Sequence, residues 1–444
     1  MFEKLLGKLR IPHLKSTASC EPVVMDAPSE VIFPTLQHRG KPAIPVVKAT
    51  DTVKVGQLIA EADGKMSSPI YSSVSGKVTK IDLHLGADGR KYPSIRIESD
   101  GLMTVCEDIK PPVVEDLDTL IEAIHASGII GLGGAGFPTA VKLEGVKNNK
   151  LETVIINGAE CEPYLTCDAR MMLDNPELIF EGVELLKKYL PDTPRFIFGI
   201  ETNKPECIET VARVFADDES VSVMPLPTLY PQGAEKVLIY NTLGITVPEN
   251  KLPIELGVMV MNVTTLALIA KYVKDGMPLT SRCVTLDGSA VKEPKNVIVP
   301  IGAKVRDVIE FAGGLKCEAA KIILGGPMTG VSIYSDEEPV IKTTGGIIAL
   351  SKKDALANKS TACIHCGRCT EACPQLLDPT SFGRAAKLDN VDDKMQLLDE
   401  SRINLCVECG SCSFVCPANR PILENIRTMK ASLREYKAHK AGLK

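Results

Sequence analysis

The chain has 444 residues, 44% of them hydrophobic and 24% charged, with no tryptophan and a net charge of −5. That balance gives no reason to expect a nucleic-acid partner, and the length suggests about three domains. Of the fifteen cysteines, eight stand in two tight runs and the rest are scattered, which excludes a secreted disulfide framework and implies thiols kept reduced.

The N-terminal MFEKLLGKLR lacks the apolar core of a signal peptide. Phe2, Leu5, Leu6 and Leu9 fall at i, i+3, i+4 and i+7, the spacing of a small apolar helix face. Residues 31–100 are β-rich, with turns at Asp51-Thr52, Asp63-Gly64, Ser75-Gly76 and Asp88-Gly89. Beyond Pro111-Pro112, Leu117, Leu120, Ile121 and Ile124 predict a helix that Gly128 ends. A strand at 153–156, a helix over 176–189 and a strand at 195–200 then predict an α/β domain. The run Leu256–Ala270 is broken by Asn262, Thr264 and Thr265 and is shorter than the ~18 apolar residues of a membrane span. Residues 281–345 turn β-rich again, with one helix near 305–312, and the chain is helical from Ser351.

The fold class is therefore α/β and multidomain. The expected order is an N-terminal segment (1–30), a β domain (31–110), an α/β domain (111–280), a second β-rich domain (281–350), a cysteine domain (351–425) and a basic tail (426–444). Arg420, Arg427, Lys430, Arg434, Lys437, Lys440 and Lys444 outweigh Glu424 and Glu435 near the C-terminus. Such a tail reads as a solvated helix or as a docking element.

The cysteine runs carry the strongest signal. CIHCGRCTEACP places Cys363, Cys366, Cys369 and Cys373 before Pro374, and CVECGSCSFVCP places Cys406, Cys409, Cys412 and Cys416 before Pro417. Both are the C-x₂-C-x₂-C-x₃-C-P spacing of two-cluster ferredoxins, whose fourth cysteine ligates the other cluster. Cys363, Cys366, Cys369 and Cys416 are thus expected to hold one [4Fe–4S] cluster, and Cys406, Cys409, Cys412 and Cys373 the second. Structural zinc takes four ligands in two pairs, which two proline-terminated runs of four fit poorly. The other thiols, Cys20, Cys106, Cys161, Cys167, Cys207, Cys283 and Cys317, form no close pair in sequence and read as inert.

The stretch GLGGAGFPTAVKL, Gly131–Leu143, contains a G-x-G-x-x-G. A Rossmann phosphate turn follows a strand and opens a long apolar helix. Here the loop follows a helix, and FPTAVKLEGVKNNK after it is too polar and too short.

Whole segments are more specific. GLGGAGFPTAVKL resembles the flavin loop of the NADH-oxidising flavoprotein of respiratory complex I. NGAECEP (157–163), YPQGAEKVLI (230–239) and MNVTTLA (261–267) resemble three further segments of that family, in order. Residues 281–345 match its soluble-ligand-binding β-grasp (SLBB). The stretch PVVKATDTVKVGQLIAEADGKMSSPIYSSVSGKVTKI looks like a lipoyl/biotinyl-type barrel-sandwich hybrid. Lys65 stands eleven residues before Gly76, where that family carries its modified lysine, but its neighbours Gly64 and Met66 favour a bare structural hammerhead. The overall organisation is similar to the RnfC family, which belongs to the Rnf ion-translocating NAD:ferredoxin oxidoreductases.

The resemblance implies FMN and two [4Fe–4S] clusters as cofactors, NAD(H) as substrate, and no side chain as catalyst. Gly131 and Gly133 would line the flavin, Lys142 would supply positive charge, and Phe137 a stacking face. Asn157, Glu160, Asn262 and Thr265 would contact the flavin. Glu162 and Glu235 would lie near NADH, with Gly233 clearing the approach of the nicotinamide. Leu132, Ala159 and Ala234 depart from the family's arginine, aspartate and glutamate, which puts the NADH contacts in doubt. The implied partners are integral membrane and other subunits of the Rnf complex and, indirectly, ferredoxin. The implied location is the cytoplasmic side of the cell membrane, peripherally. Two alternatives share these features: a soluble cobalamin reductase of propanediol-utilisation type, and a non-enzymatic electron-transfer adaptor.

Overall fold

The computed structural model describes residues 6–7, 9–86, 89–191, 194–355 and 359–442. Phe2, Leu5, Asp88 and Lys444 lie outside them, and with them much of the expected N-terminal helix face. Two compact units form: His13–Leu226 with Leu252–Ala355, and Met1–Pro12 with Pro227–Lys251 and Leu356–Lys444.

The larger unit begins with a barrel-sandwich of two antiparallel sheets. One has the order Glu30–Pro34, Lys91–Ser99, Gly76–Leu85, Thr52–Val53, and the other Ile44–Pro45, Leu58–Glu61, Ile70–Tyr71. Val31, Phe33, Ile59, Ile70, Val78, Ile95 and Ile97 form its interior. Gly76 needs to be glycine: its φ is +156° and an added Cβ would lie 2.0 Å from the carbonyl oxygen of Glu98. Lys65 stands exposed in a turn and pairs with Glu144.

Next comes a helix, Leu117–Ala126, capped at its start by Asp116 and followed by Gly128 at φ +70°. A four-stranded parallel sheet follows, in the order Val221–Leu226, Arg195–Glu201, Thr153–Asn157, Val258–Asn262. In chain sequence this order is 3-2-1-4, so the connections diverge between Thr153–Asn157 and Val258–Asn262. Ligands of such sheets bind at that switch point, outside the carboxyl ends of the strands. The apolar run 256–270 is divided between the fourth strand and the helix Val263–Asp275. Among the described residues no helix is long and apolar enough to cross a membrane. That helix packs on Pro176–Tyr189 where Gly182 stands; an added Cβ there would lie 2.7 Å from Leu266.

The β-grasp part is a mixed six-stranded sheet: Val23–Val24, Lys295–Pro300, Ser281–Asp287, Gly346–Ser351, Ala319–Leu324, Val331–Ile333. Its first strand comes from the N-terminal segment. Helix Val305–Phe311 buries Val305, Val308 and Ile309 in a core with Val284, Leu286, Val297 and Ile347.

The smaller unit is helical. Helices Pro379–Ala385 and Val391–Glu400 pack with Ile422–Lys440 through Phe382, Leu398, Ile426 and Leu433. The basic C-terminal stretch is thus part of one long helix. Lys430 pairs with Glu408, Lys437 with Asp399 and Lys440 with Asp392, so these cations are largely answered within the unit.

Candidate functional site

The loop Gly131–Phe137 closes on itself: the Gly131 N–H donates to the Phe137 carbonyl at 2.8 Å, and the Gly136 N–H to the Gly131 carbonyl at 3.2 Å. It precedes the first strand of the sheet instead of following it, which removes the Rossmann reading of its glycines. Gly133, Gly134 and Ala135 are exposed. An added Cβ on Gly133 would lie 3.2 Å from the Asn262 amide nitrogen, so the loop approaches the sheet closely only without a side chain there.

Asn157 and Asn262, distant in sequence, are register partners at the carboxyl ends of the two strands flanking the switch point. Asn262 caps helix Val263–Asp275, accepting from the Thr265 N–H at 3.1 Å, and its amide donates to Asp168 at 2.8 Å. Thr265 in turn accepts from the Leu132 N–H at 2.9 Å. The Lys142 ammonium donates to the Val260 carbonyl at 2.8 Å, on the fourth strand. Gly131, Gly133, Lys142, Asn157, Asn262 and Thr265 therefore converge on one crevice, with Phe137 closing the loop through its backbone.

Glu160 stands beside them at a strained φ of +45°. Its carboxylate accepts from the Asp168 N–H at 2.7 Å and so caps helix Cys167–Asp174. Burial raises its pKa to about 7, with Lys15 and Lys204 opposing and Asp168 adding to the rise. Glu162 is placed differently: its carboxylate accepts from the Met328 N–H at 3.0 Å and from the Thr329 hydroxyl, tying the loop to the β-grasp part.

Four residues at this site escaped the sequence reading. Lys15 donates to the carbonyls of Glu160 and Glu162, both at 2.8 Å, and of Leu165, from a segment without motif. Lys204 donates to the Ala159 carbonyl, and Asp168 bridges Asn262 and Thr264. Arg282, 4% exposed, donates to the Leu132 carbonyl at 3.3 Å, and its Nε has no hydrogen-bond partner among the described residues. Leu132, where complex I flavoproteins have arginine, turns into the core, while Arg282 brings a guanidinium to the same loop. A buried donor without a partner beside an open glycine loop suits a polar, anionic cofactor such as FMN. The family resemblance had pointed to the glycine loop, Asn157, Glu160, Glu162, Asn262 and Thr265, but gave no signal for Lys15, Lys204 and Arg282, whose partners are 45 to 150 positions away.

Of the scattered thiols, Cys167 bonds Thr285 and the Gly345 carbonyl, and burial pushes Cys207 up to about 12. Both are buried.

Gly233 and Glu235 belong to the smaller unit. Glu235 opens helix Glu235–Leu243, and three residues before Gly233 the buried Tyr230 donates its hydroxyl to the Cys409 carbonyl at 2.6 Å. The segment expected at the NADH site is thereby bonded to a cysteine run.

The two runs repeat one backbone. His365 and Glu408, Gly367 and Gly410, and Leu376 and Asn419 all have positive φ at matching offsets, and short helices Arg368–Glu371 and Ser411–Phe414 follow the glycines. The N–H groups of His365, Leu377 and Glu408 lie 3.4 Å from the sulfurs of Cys363, Cys373 and Cys406. Cys373, Cys406, Cys409 and Cys412 line one cavity with Phe382, Leu423 and Ile426. Among the described residues no three His, Cys, Asp or Glu side chains converge on a single ion. Thiols spread around a cavity fit a cubane better than a mononuclear zinc, whose sulfurs sit about 2.3 Å from one centre. Burial pushes Cys406 up to about 11 and Cys412 up to about 12, so thiolates there call for the positive charge that iron supplies.

Comparison with known families matches residues 4–102 to the RnfC barrel sandwich hybrid domain and 124–271 to the Nuo51 FMN-binding domain. Residues 283–332 match the SLBB domain and 352–420 a 4Fe-4S dicluster domain. The C subunit of the proton-translocating ferredoxin:NAD(+) oxidoreductase complex of Clostridium ljungdahlii is 42% identical, over 90% of this chain and 88% of its own length. Its counterpart in the Na(+)-translocating ferredoxin:NAD(+) oxidoreductase complex of Acetobacterium woodii is 40% identical, over 88% of each. The counterpart in the ion-translocating oxidoreductase complex of Rhodobacter capsulatus is 38% identical, over 83% of this chain and 72% of its own. A chain of an NAD+-reducing [NiFe]-hydrogenase superposes with a TM-score of 0.51 at 18% identity, over 72% of this chain and 63% of its own, and shares the fold. Neither the cobalamin reductase nor the adaptor reading draws support from these relatives. A barrel-sandwich, an FMN-binding α/β domain, a β-grasp and a dicluster domain, in that order along the chain, place this protein in the RnfC family of ion-translocating ferredoxin:NAD+ oxidoreductase complexes.

Proposed function

We propose that this protein is the peripheral electron-input subunit of an Rnf-type complex, on the cytoplasmic face of the membrane. It exchanges electrons between NAD(H) and ferredoxin-linked membrane subunits, while Na+ or H+ translocation belongs to those partners. The observation that carries the reading is the convergence of the Gly131–Phe137 loop, Asn157 and Asn262 at the switch point of the parallel sheet.

In this reading Gly131, Gly133, Phe137, Lys142, Asn157, Glu160, Asn262 and Thr265 hold FMN, and Glu162, Gly233 and Glu235 serve the NADH side. The crossed sets Cys363, Cys366, Cys369, Cys416 and Cys373, Cys406, Cys409, Cys412 hold two [4Fe–4S] clusters. When bound, FMN supplies the conversion between hydride and single-electron chemistry, and the clusters carry electrons singly. The chain's own residues orient and insulate. Thr265 and Arg282 fix the two sides of the Leu132 peptide, and bare glycine backbone lets a ring approach. Asp168 holds Asn262 in its capping rotamer. Glu162, held by its bonds to Met328 and Thr329, would act on NADH through its charge.

The test is anaerobic reconstitution of the full chain with iron, sulfide and FMN, followed by NADH. Bleaching of the flavin and reduced-cluster EPR signals are expected. Failure of NADH to bleach the flavin in fully loaded protein overturns the reading.

A further inference from the structure

The two thiol sets differ sharply in exposure. Cys409 and Cys412 are each 8% exposed, beneath Phe382, Leu423 and Ile426, and Cys409 carries the bond from Tyr230. Cys363 and Cys366 are exposed, and Ile364 between them is 65% exposed. The segment with Gly233 and Glu235 is thus tied to the inner set, while the outer set opens to its surroundings.

The outer loop is also charged in one sense. Lys359 and Arg368 are exposed on either side of Ile364 along the chain, with Glu371 the single acid between 359 and 371. Arg420 donates to the Thr361 carbonyl at 3.2 Å and the Thr361 N–H to the Ala418 carbonyl at 3.0 Å, so the loop is held in place by the second run. An exposed apolar residue flanked by Lys359 and Arg368, with Arg420 held on the same loop, has the anatomy of a recognition patch for an acidic surface. Exposed cluster ligands at its centre specify that the partner brings its own one-electron centre.

We propose that the Lys359–Arg368 loop is the docking face for an acidic iron–sulfur protein, and that electrons enter or leave through the outer thiol set, the inner set being the one bonded to the segment of Gly233 and Glu235. This rests on the relay proposed above. Each encounter moves one electron, with no bond made or broken. Two reduced partners each lose one electron, and NAD+ takes both with one proton to give NADH.

The experiment mixes full-length protein, loaded with FMN and clusters, with a reduced acidic two-[4Fe–4S] ferredoxin and NAD+ under anaerobic stopped flow. The expected second-order rate falls with ionic strength. Arg368→Glu and Ile364→Asp, with wild-type iron and flavin content, are expected to slow it roughly ten-fold at low salt. Reduced methyl viologen, which needs no docking face, should reduce NAD+ at similar rates in wild type and variants. Equal ferredoxin rates in wild type and both variants would overturn the docking face, as would these residues serving only binding to anionic phospholipid vesicles. If methyl viologen drives NADH formation but ferredoxin does not, the docking proposal fails and the relay stands. If neither does so in loaded protein, the relay itself fails.

Discussion

The Lys15 ammonium lies 2.8 Å from the backbone carbonyl of Glu160, in a chain where 145 positions separate the two. The same ammonium holds the carbonyls of Glu162 and Leu165, so one lysine sets the path of the whole NGAECEP turn. Its charge also acts on the Glu160 carboxyl, holding down a pKa that burial raises to about 7.

Lys15→Met is therefore expected to raise the Glu160 pKa further and to loosen FMN. The sign for stability follows from linkage: with its folded pKa above the ordinary value, Glu160 binds more protons in the native state between that value and about 7. Its contribution is complete in acid and is lost as pH rises through that window. Glu160→Gln should flatten the pH dependence of Tm there. An unchanged slope in the variant would show that Glu160 titrates normally.

Crossed ligation makes the two runs interdependent. Cys373→Ser is expected to damage the cluster of Cys406, Cys409 and Cys412, whose cavity it lines, and Cys416→Ser the other. Iron counting and EPR on each full-length variant check this. Because FMN is held elsewhere, both variants should keep reducing ferricyanide with NADH. Two intact cubane signals in both would exclude crossing.

Gly133→Val brings branched carbons to within contact of Asn262, where even one Cβ lies at 3.2 Å. Thr265→Val removes the acceptor of the Leu132 N–H, at a cost of about 1–3 kcal/mol for an orphaned buried donor. Both variants are expected to retain iron and to lose FMN, Gly133→Val more completely. Flavin absorbance after gel filtration measures it.

Lys342 makes a separate prediction about assembly. It is 1% exposed and donates to Ser68 at 3.0 Å, to the Pro69 carbonyl at 2.6 Å and to the Gly128 carbonyl at 2.8 Å, joining the barrel-sandwich and α/β parts to the β-grasp part. Lys342→Met removes three buried hydrogen bonds, although the Gly128 carbonyl keeps its bond from the Ser68 hydroxyl, and should destabilise the larger unit by about 3 kcal/mol. Burial lowers its pKa to about 7, so the native state binds fewer protons than the unfolded state from there up to the usual lysine range. Its contribution to stability therefore rises with pH across that window, and the Met variant should lose the rise. Chemical denaturation at several pH values reads it.

What short-range geometry encodes was legible in the residues alone. Cysteine spacing in each run follows from how few residues can wrap a cubane face, so the cluster type needed no coordinates. The helix that begins at Leu117 followed from its periodicity, and the strand expected at 153–156 runs one residue further, to Asn157. Which distant residues share the site emerges only on folding. Arg282 on the Leu132 carbonyl of the glycine loop, Lys15 on the Glu160 carbonyl, and Tyr230 on Cys409 are contacts across more than a hundred residues. No local pattern marks them, because an isolated Lys or Tyr becomes a positioning group only when folding buries it against backbone carbonyls that need a donor. The allegiance of 227–251 to the cysteine domain has the same origin: Tyr230, Asn241 and Glu249 bond to Cys409, Leu6 and Arg402, and a chain's compact units are set by such bonds and not by its order.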